Sequence, residues 1–417
     1  MLSPEGSLPS RALVLGLARS GQAATLALRR RGIEVVGVDS SRDVDTGRLA
    51  KAGVEVHLGT EEEQLLDAVD TVVKSPGIPA EASLVVAARG REIPVWSEVE
   101  LGSRLLPNPI LGVTGTNGKT TTSELLGVMI GAPVAGNVGR ALCELDGEVE
   151  AGQVVVCEVS SFQLEDVHEF QPQVAVLLNL EPDHLDRHGT FEAYRDAKLR
   201  IFENQGPDDT AVLPRGFGDI PGKARLIEFD ADDQLPAEPR IPGAHNRENA
   251  AAATAAARAL GIDDARIADA LETFPGVAHR PELVADSGGV RYVNDSKATN
   301  TAAARRAIAA YDAPLHVILG GRGKGEIYTD LALDVARKAR RAYLIGEAAG
   351  DIAVALELAG ADHGLYEDLE TATKDAAKKA KPGEIVLLAP ACASYDQFTD
   401  FEERGEAFRR IVQELTA

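Results

Sequence analysis

The amino-acid sequence predicts an α/β protein of three domains. Short β-branched runs alternate with helical patterns along nearly the whole chain, and several of those runs end in glycine-bearing turns that open a helix. Length agrees: 417 residues exceed one typical core and suggest roughly two to four domains.

In order, the first hundred residues place strands at 12–15, 34–38, 54–58 and 71–73 with helices between them, which implies a parallel sheet built from crossover connections. Pro107-Asn108-Pro109 then interrupts the pattern and marks a linker. A second α/β unit opens with the run 110–113, continues through 154–159 and 174–178, and ends in the alanine-rich helical stretch after Asn246. A third begins near His279, with strands at 291–293, 316–319, 342–345 and 384–388. The expected domains are therefore 1–107, 108–278 and 279–417.

Composition narrows the function. A net charge of −22 argues against a nucleic-acid partner, which would demand a basic surface. It leaves room for a phosphorylated small molecule, since that needs only a local cradle of N–H groups and a few cations. Cys143, Cys157 and Cys392 lie far apart without metal-ligand spacing, as expected of a reducing compartment. The apolar stretch 12–18 runs straight into a glycine turn and reads as a strand rather than a leader. No apolar run approaches the ~20 residues that span a bilayer. A cytoplasmic protein with no membrane span is the expectation.

The strongest local signal is Thr114-Gly115-Thr116-Asn117-Gly118-Lys119-Thr120, between an apolar strand and a helix. Such a turn offers successive N–H groups and a helix N-terminus to a phosphate. Lys119 would reach the β/γ-phosphates of ATP, and the Thr120 hydroxyl would hold Mg²⁺. The general phosphate-loop pattern wants glycine where this chain has Val113. Glu158 ends a buried-looking strand, where a carboxylate calls for a cation or strong donors. The segment Glu181-Pro182-Asp183-His184 follows another strand, so His184 and Glu158 are expected to meet at a metal beyond the strand ends.

The turn Gly16-Leu17-Ala18-Arg19-Ser20-Gly21 resembles a dinucleotide fingerprint with alanine in the middle, and Asp39 stands where a ribose-binding acid would. NAD, another nucleotide diphosphate, or tight packing alone fit it equally. Ser75-Pro76-Gly77-Ile78 supplies a second wall. In the final third, polar residues crowd three strand-following segments: Asn294–Asn300, Gly320–Lys324 and Ala389–Phe398. Their lysine, threonine and serine side chains suit a dicarboxylate through charge-assisted hydrogen bonds.

With these residues assembled, the chain resembles the Mur ligase family over nearly its whole length and in order. The resemblance runs through the 15–21 turn, Ser75–Ile78, the 114–120 loop, Gly136-Asn137-Val138-Gly139, Glu158–Leu164, Asp183–His188, Ala197–Arg200, Gly243–Asn249, His279-Arg280, Asn294–Asn300, Leu319–Lys324 and Ala389–Gly405. That family's phosphate loop also lacks the first glycine. The string Ala391–Phe398, with Phe401 and Arg404-Gly405, is similar to the glutamate-adding branch. The Asp-Asn-Pro-Arg string of the diaminopimelate- or lysine-adding branch is absent.

The resemblance implies a nucleotide-binding, ATP-dependent ligase of peptidoglycan precursor synthesis. It would join D-glutamate to UDP-N-acetylmuramoyl-L-alanine, with a UDP-binding N-terminal domain, a central phosphate-loop domain and a Rossmann-like glutamate domain. Gly115, Thr116, Asn117, Gly118, Lys119, Thr120, Thr121, Asn249, Arg280 and Asp295 would bind ATP. Thr120 and Glu158 would hold one Mg²⁺; His184 and a carbamylated Lys198 would hold a second. Carbamylation is needed because an ammonium has no lone pair to offer. Gly16, Arg19, Ser20, Asp39 and Ser75 would meet the UDP portion, and Asn137, Ser161 and Gln163 the muramoyl side. Lys297, Thr299, Lys324, Ser394 and the Phe401 backbone would bind glutamate. Lys119, Glu158, His184 and Lys198 would carry the catalysis, in a monomer.

Overall fold

The computed structural model describes residues 8–277 and 282–416. Three sheets organise them. The first has strand order β3-β2-β1-β4-β5, from β1 (Arg11–Leu15), β2 (Glu34–Asp39), β3 (Glu55–Leu58), β4 (Thr71–Lys74) and β5 (Val95–Ser97). All its pairs are parallel. Both faces are covered, so β1 is apolar at nearly every position instead of alternating.

The second sheet runs β11-β10-β9-β6-β8-β7 and is also parallel. Its strands are β6 (Ile110–Thr114), β7 (Val134–Gly136), β8 (Val155–Glu158), β9 (Val174–Leu177), β10 (Thr210–Pro214) and β11 (Arg225–Phe229). The central three, β9-β6-β8, are buried throughout. They put the phosphate loop, Glu158 and the segment from Leu178 at neighbouring C-terminal strand ends, where open α/β sheets bind ligands.

The third sheet runs β12-β13-β17-β14-β15-β16. It is built from β12 (Glu282–Ser287), β13 (Val290–Asn294), β14 (Leu315–Gly320), β15 (Ala339–Ile345), β16 (His363–Leu365) and β17 (Ile385–Leu388). Only the β12–β13 pair is antiparallel. Because β13, β17 and β14 are adjacent, the three polar segments of the final third leave the sheet side by side.

By its Cα packing the chain forms two compact units. One joins the first and second sheets (1–180, 192–238 and 248–273); the other holds the third sheet with 181–191 and 239–247. Within the first unit, helix Glu98–Leu105 from the end of the first sheet lies on the short 3₁₀ helix Leu142–Leu145. Their seam contains Val99, Leu106 and Leu142 in one apolar cluster. Gly102 is needed there, since a Cβ would sit 2.7 Å from Leu142 Cγ.

The strands at 95–97, 134–136, 210–214, 225–229, 282–287 and 363–365 go beyond those predicted. Most are short or lie at sheet edges, and β11 is half exposed with little apolar patterning.

Candidate active site

The phosphate loop leaves β6 with Thr114 buried and its hydroxyl donating to Val159 O (2.8 Å), which ties the loop to β8. Gly118 takes a left-handed φ of 89° as N-cap of helix Lys119–Ile130. A Cβ there would lie 2.2 Å from Asn249 Oδ1, so only glycine lets Asn249 seat against the loop. Lacking a side chain, Gly118 leaves that helix uncapped from its own position, as an anion-binding terminus requires. Lys119 Nζ donates to Gly115 O and Thr116 O, both at 2.8 Å. Thr120 and Thr121 are buried behind it.

Two residues that the sequence did not single out shape this loop. Asn179, just past β9, accepts from Asn117 N through its side chain (2.9 Å) and from Thr116 N through its carbonyl (3.0 Å). Tyr194 is buried and its hydroxyl donates to Thr116 Oγ1 (3.0 Å). Lys198, one turn later on helix Phe191–Leu199, lies over the Tyr194 ring at 4.7 Å and donates to Gly115 O at 2.8 Å. The i, i+4 spacing of Tyr194 and Lys198 was the signal available in the sequence.

Glu158 is 2% exposed at the end of β8. Asn137 Nδ2 donates to its Oε1 (2.9 Å), and Asn137 N to its carbonyl (2.8 Å). The sequence-predicted Asn137 and Glu158 are thus brought together. Glu158 and Thr120 offer hard oxygen donors of the kind Mg²⁺ takes, with phosphate and water completing its shell. Ser160 and Gln163 form a capping box for helix Ser161–Leu164, so Gln163 Oε1 accepts from Ser160 N (3.0 Å). The Gln163 carboxamide therefore has a structural task in this state, and Ser161 is buried beside it.

In the first sheet, Gly16 has a φ of 85° and a Cβ there would approach Ser75 Cβ to 2.9 Å. The close approach lets Ser75 Oγ donate to Gly16 O (2.7 Å), locking the two predicted substrate turns together. Asp39 accepts from Leu17 N (2.7 Å) and Ser41 N (2.9 Å). Ser20 follows Arg19 in the first turn of helix Arg19–Arg30. A cleft of about 250 Å³ is lined by Arg19, Arg30, Arg48 and Arg140 together with Glu144 and Glu148, both of which pair with Arg140.

The unit with the third sheet holds the remaining predicted residues. Asp183 is buried; Asn300 Nδ2 donates to it (3.0 Å), and Lys324 Nζ lies 3.8 Å away. His184, at φ 53°, caps the short helix Leu185–His188 and donates its N–H to Asp183 Oδ1 (2.9 Å). Arg306 pairs with Glu181, which anchors the same loop. Lys297 stands over the Phe401 ring at 5.2 Å, and Thr299 N donates to Lys297 O (2.8 Å). Asp295 and Ser394 are buried. Glu326, raised from its usual range by burial, accepts from Thr301 N (2.6 Å) at the start of helix Thr301–Ala309.

Arg404, quoted in the motif but given no role, organises this end. It is 1% exposed and donates to Ser296 Oγ (2.9 Å), Ser296 O (2.8 Å), Cys392 O (3.1 Å) and Ala393 O (3.3 Å). One guanidinium thereby fastens two of the three polar segments, while the bridge between Arg322 and Ala393 fastens the third. Of the predicted metal groups, Thr120, Glu158 and Lys198 belong to the first unit and His184 to the second. Arg280, predicted to meet ATP, lies outside the described residues.

The chain is similar to known proteins along nearly its whole length. Family descriptions match in three consecutive pieces: the N-terminal domain of Mur ligase MurD-like proteins at 10–97, the Mur ligase middle domain at 113–217, and the Mur ligase glutamate ligase domain at 279–392. A UDP-N-acetylmuramoylalanine--D-glutamate ligase of Pelotomaculum thermopropionicum is 42% identical, covering 97% of both chains. The protein of the same name from Salinibacter ruber is 38% identical over 99% of this chain and all of its own. Among solved structures, MurF from Acinetobacter baumannii superposes with a TM-score of 0.61 at 19% identity, covering 97% of this chain and 93% of its own, a likeness of fold.

Proposed function

The chain belongs to the Mur ligase family, and from that premise we propose that it joins D-glutamate to UDP-N-acetylmuramoyl-L-alanine by an amide bond, at the expense of ATP, in peptidoglycan precursor synthesis. The observation that carries the reading is the phosphate loop with Lys119 folded over it, next to the buried Glu158. We divide the chain into a UDP-binding domain (1–107), an ATP-binding domain (108–278) and a glutamate-binding domain (279–417). We place the reaction in the cytoplasm; among the described residues no helix is long and apolar enough to cross a membrane.

In the first step the alanyl carboxylate attacks the γ-phosphorus and the bond to ADP breaks, leaving an acyl phosphate. Two anions must approach, so cations are the main requirement. Lys119 exchanges its carbonyl partners for the β/γ-oxygens, and the uncapped helix start after Gly118 receives the phosphate. Thr120 and Glu158 would hold Mg²⁺, which when bound would supply charge neutralisation. In the second step the glutamate amine attacks the acyl carbon, loses a proton and expels phosphate. Lys297, Thr299, Lys324, Ser394 and the Phe401 backbone hold the two carboxylates of glutamate. Asn249, Asp295 and Arg280 serve the adenosine and phosphates. Gly16, Arg19, Ser20, Asp39 and Ser75 serve the UDP, with the Arg19 guanidinium suited to its diphosphate.

We further propose that Lys198 is carbamylated and that its carbamate and His184 each serve as a ligand to a second Mg²⁺. Uptake of CO₂ needs the uncharged amine, and Lys198 is buried beside the phosphate loop, where its ammonium nitrogen meets Gly115 O. A carbamate carbonyl resonance on incubation with ¹³C-bicarbonate, lost in Lys198→Ala, is the expected sign.

The test of the function is phosphate release from ATP with UDP-N-acetylmuramoyl-L-alanine, adding D-glutamate, L-glutamate or neither. Release that needs D-glutamate, with a product heavier by one glutamyl residue, is expected. Release that ignores both amino acids refutes the reading. Lys119→Ala and Glu158→Ala should abolish release with the fold retained.

A further inference from the structure

We propose that Lys74 is a positioning residue: it fixes the separation of two walls of the acceptor pocket, and so sets affinity for the nucleotide-sugar acceptor while leaving ATP and glutamate binding alone. This rests on the functional reading above, which puts Ser75 on the UDP wall, and on the family resemblance, which puts Ser161 and Gln163 on the muramoyl wall.

Lys74 ends β4 immediately before the Ser75–Ile78 turn and is 1% exposed. Its ammonium donates to two oxygens and is ion-paired with a third. Ile78 O, at 3.2 Å, belongs to the far end of the turn. Asp166 Oδ2 at 2.8 Å and Glu165 Oε2 at 3.4 Å belong to the second sheet's half of the unit, directly after helix Ser161–Leu164. A single buried cation therefore spans from the substrate turn to the segment that ends the opposite wall.

The acceptors on that second side are themselves fixed. Arg89 donates to Asp166 Oδ1 (2.8 Å), and Ser97 N donates to Asp166 O (2.8 Å). Arg200 donates to the carbonyls of Glu165 and Val167. On the first side, Ser75 Oγ is bound to Gly16 O. Neither wall can shift without breaking a bond to Lys74. Burying an ammonium costs several kcal/mol before its partners repay it, and an apolar side chain of the same volume would often be as stable. A charge retained there points to the geometry it enforces rather than to stability.

The experiment compares wild type with Lys74→Met, Lys74→Arg and the double variant Lys74→Met/Asp166→Asn, which removes one facing charge along with the cation. Steady-state kinetics give KM for acceptor, ATP and D-glutamate separately; calorimetry gives Kd for UDP-N-acetylmuramoyl-L-alanine without ATP. For Lys74→Met the acceptor KM and Kd should rise roughly ten-fold, equivalent to about 1.4 kcal/mol. The KM values for ATP and glutamate should stay within about two-fold, and Lys74→Arg should recover part of the loss. If Lys74→Met fails to fold, the double variant carries the same expectation and Lys74→Arg a smaller rise confined to the acceptor. Equal rises in all three KM values, or a lower Tm with an unchanged acceptor Kd, would overturn the proposal. A wild-type protein that neither binds the acceptor nor releases D-glutamate-dependent phosphate would instead overturn the functional reading, and this inference with it.

Discussion

Two buried charges of opposite sign hold the two halves of the machinery, and the contrast between them shows how irregular backbone is made rigid. Glu100, fully buried where the first and second sheets meet, accepts the consecutive N–H groups of His168 (2.9 Å), Glu169 (3.0 Å) and Phe170 (3.0 Å). Arg404, equally buried beyond the third sheet, does the converse and donates to the carbonyls of Ser296, Cys392 and Ala393. Each segment has left regular structure, so its backbone groups have no ladder to join and cannot be left unmet. Where the chain turns amides inward, a carboxylate answers; where it turns carbonyls inward, a guanidinium does.

Compensation differs too. Glu100 has a formal partner in Arg104, 2.7 Å away and itself stacked over Trp96 at 4.2 Å. Arg404 is met chiefly by carbonyl and hydroxyl oxygens. Its burial pushes the guanidinium down to about 10, still charged at neutral pH. A fork of five N–H donors in fixed geometry can serve four oxygens at once, which a lysine cannot.

The largest effect is therefore expected at Arg404. Arg404→Met leaves the carbonyls of Ser296 and Cys392 unmet, each costing roughly 1–3 kcal/mol, while Ala393 O keeps Arg322 N and the Ser296 hydroxyl keeps Phe401 O. After relaxation we expect about 4 kcal/mol lost in urea unfolding. Because the same bonds shape the loops that carry Lys297, Thr299 and Ser394, the KM for D-glutamate should rise more than that for ATP. Arg404→Lys should recover little; full recovery would show that charge alone, not the fork, matters here.

Glu100→Gln should come next, at about 2–3 kcal/mol, since it keeps the shape but replaces charge-assisted bonds with weaker ones and leaves Arg104 short of a partner. Here the acceptor KM, not the glutamate KM, should move. If both variants disturb the same KM, the division of labour drawn above is wrong.

Glu98, two residues before Glu100 on the same helix, tests the seam by pH. Burial is the main reason its carboxyl is pushed up to about 7, with Cys143 N as the donor opposing the shift (2.7 Å). A carboxyl raised in the folded state keeps its proton longer than in the unfolded chain, whose value is 4.5. Its contribution is intact below about 4.5 and is lost as pH rises to about 7, a change of about 3 kcal/mol if the whole shift is realised. Thermal unfolding at pH 5 and pH 8 should show Glu98→Gln flattening that decline, so that the variant gains on wild type at pH 8. Parallel curves would mean that Glu98 does not titrate in this range.

Much of this design was legible in the sequence, and the limits have a physical pattern. Turns that follow strands could be placed because backbone geometry demands glycine there, as at Gly16 and Gly118. The three polar segments of the final third were each readable, and the order β13-β17-β14 explains why they emerge together. What stayed hidden were side chains whose task is to satisfy distant backbone. Glu100 and Arg104 look like an ordinary helical i, i+4 pair, and Asn179 like a residue leaving a strand. Their partners lie 60 or more residues away in the chain, and nothing local announces them. Lys74 was passed over for the same reason: next to Ser75-Pro76-Gly77 it resembles a solvated lysine.

The smallest effects come from two caps with the same chemistry in the two regions. Ser97 Oγ accepts from Glu100 N (3.2 Å) at the start of the helix that carries Glu98 and Glu100. Asp368 accepts from Thr371 N (2.8 Å) at the exposed start of helix Leu369–Lys379. Replacing either by alanine should cost about 1 kcal/mol. The backbone and hydroxyl of Thr371 hold the Asp368 carboxyl below its usual range, so its contribution is present above pH 3.8 and fades as pH falls through the lowered value. The serine cap has no such dependence. Ser97→Ala should also raise the acceptor KM slightly, because it loosens the helix that holds residues 168–170, whereas Asp368→Ala should leave all three KM values unchanged. A shift in the acceptor KM with Asp368→Ala would mean that the two regions are coupled more tightly than their separate hydrogen-bond networks provide for.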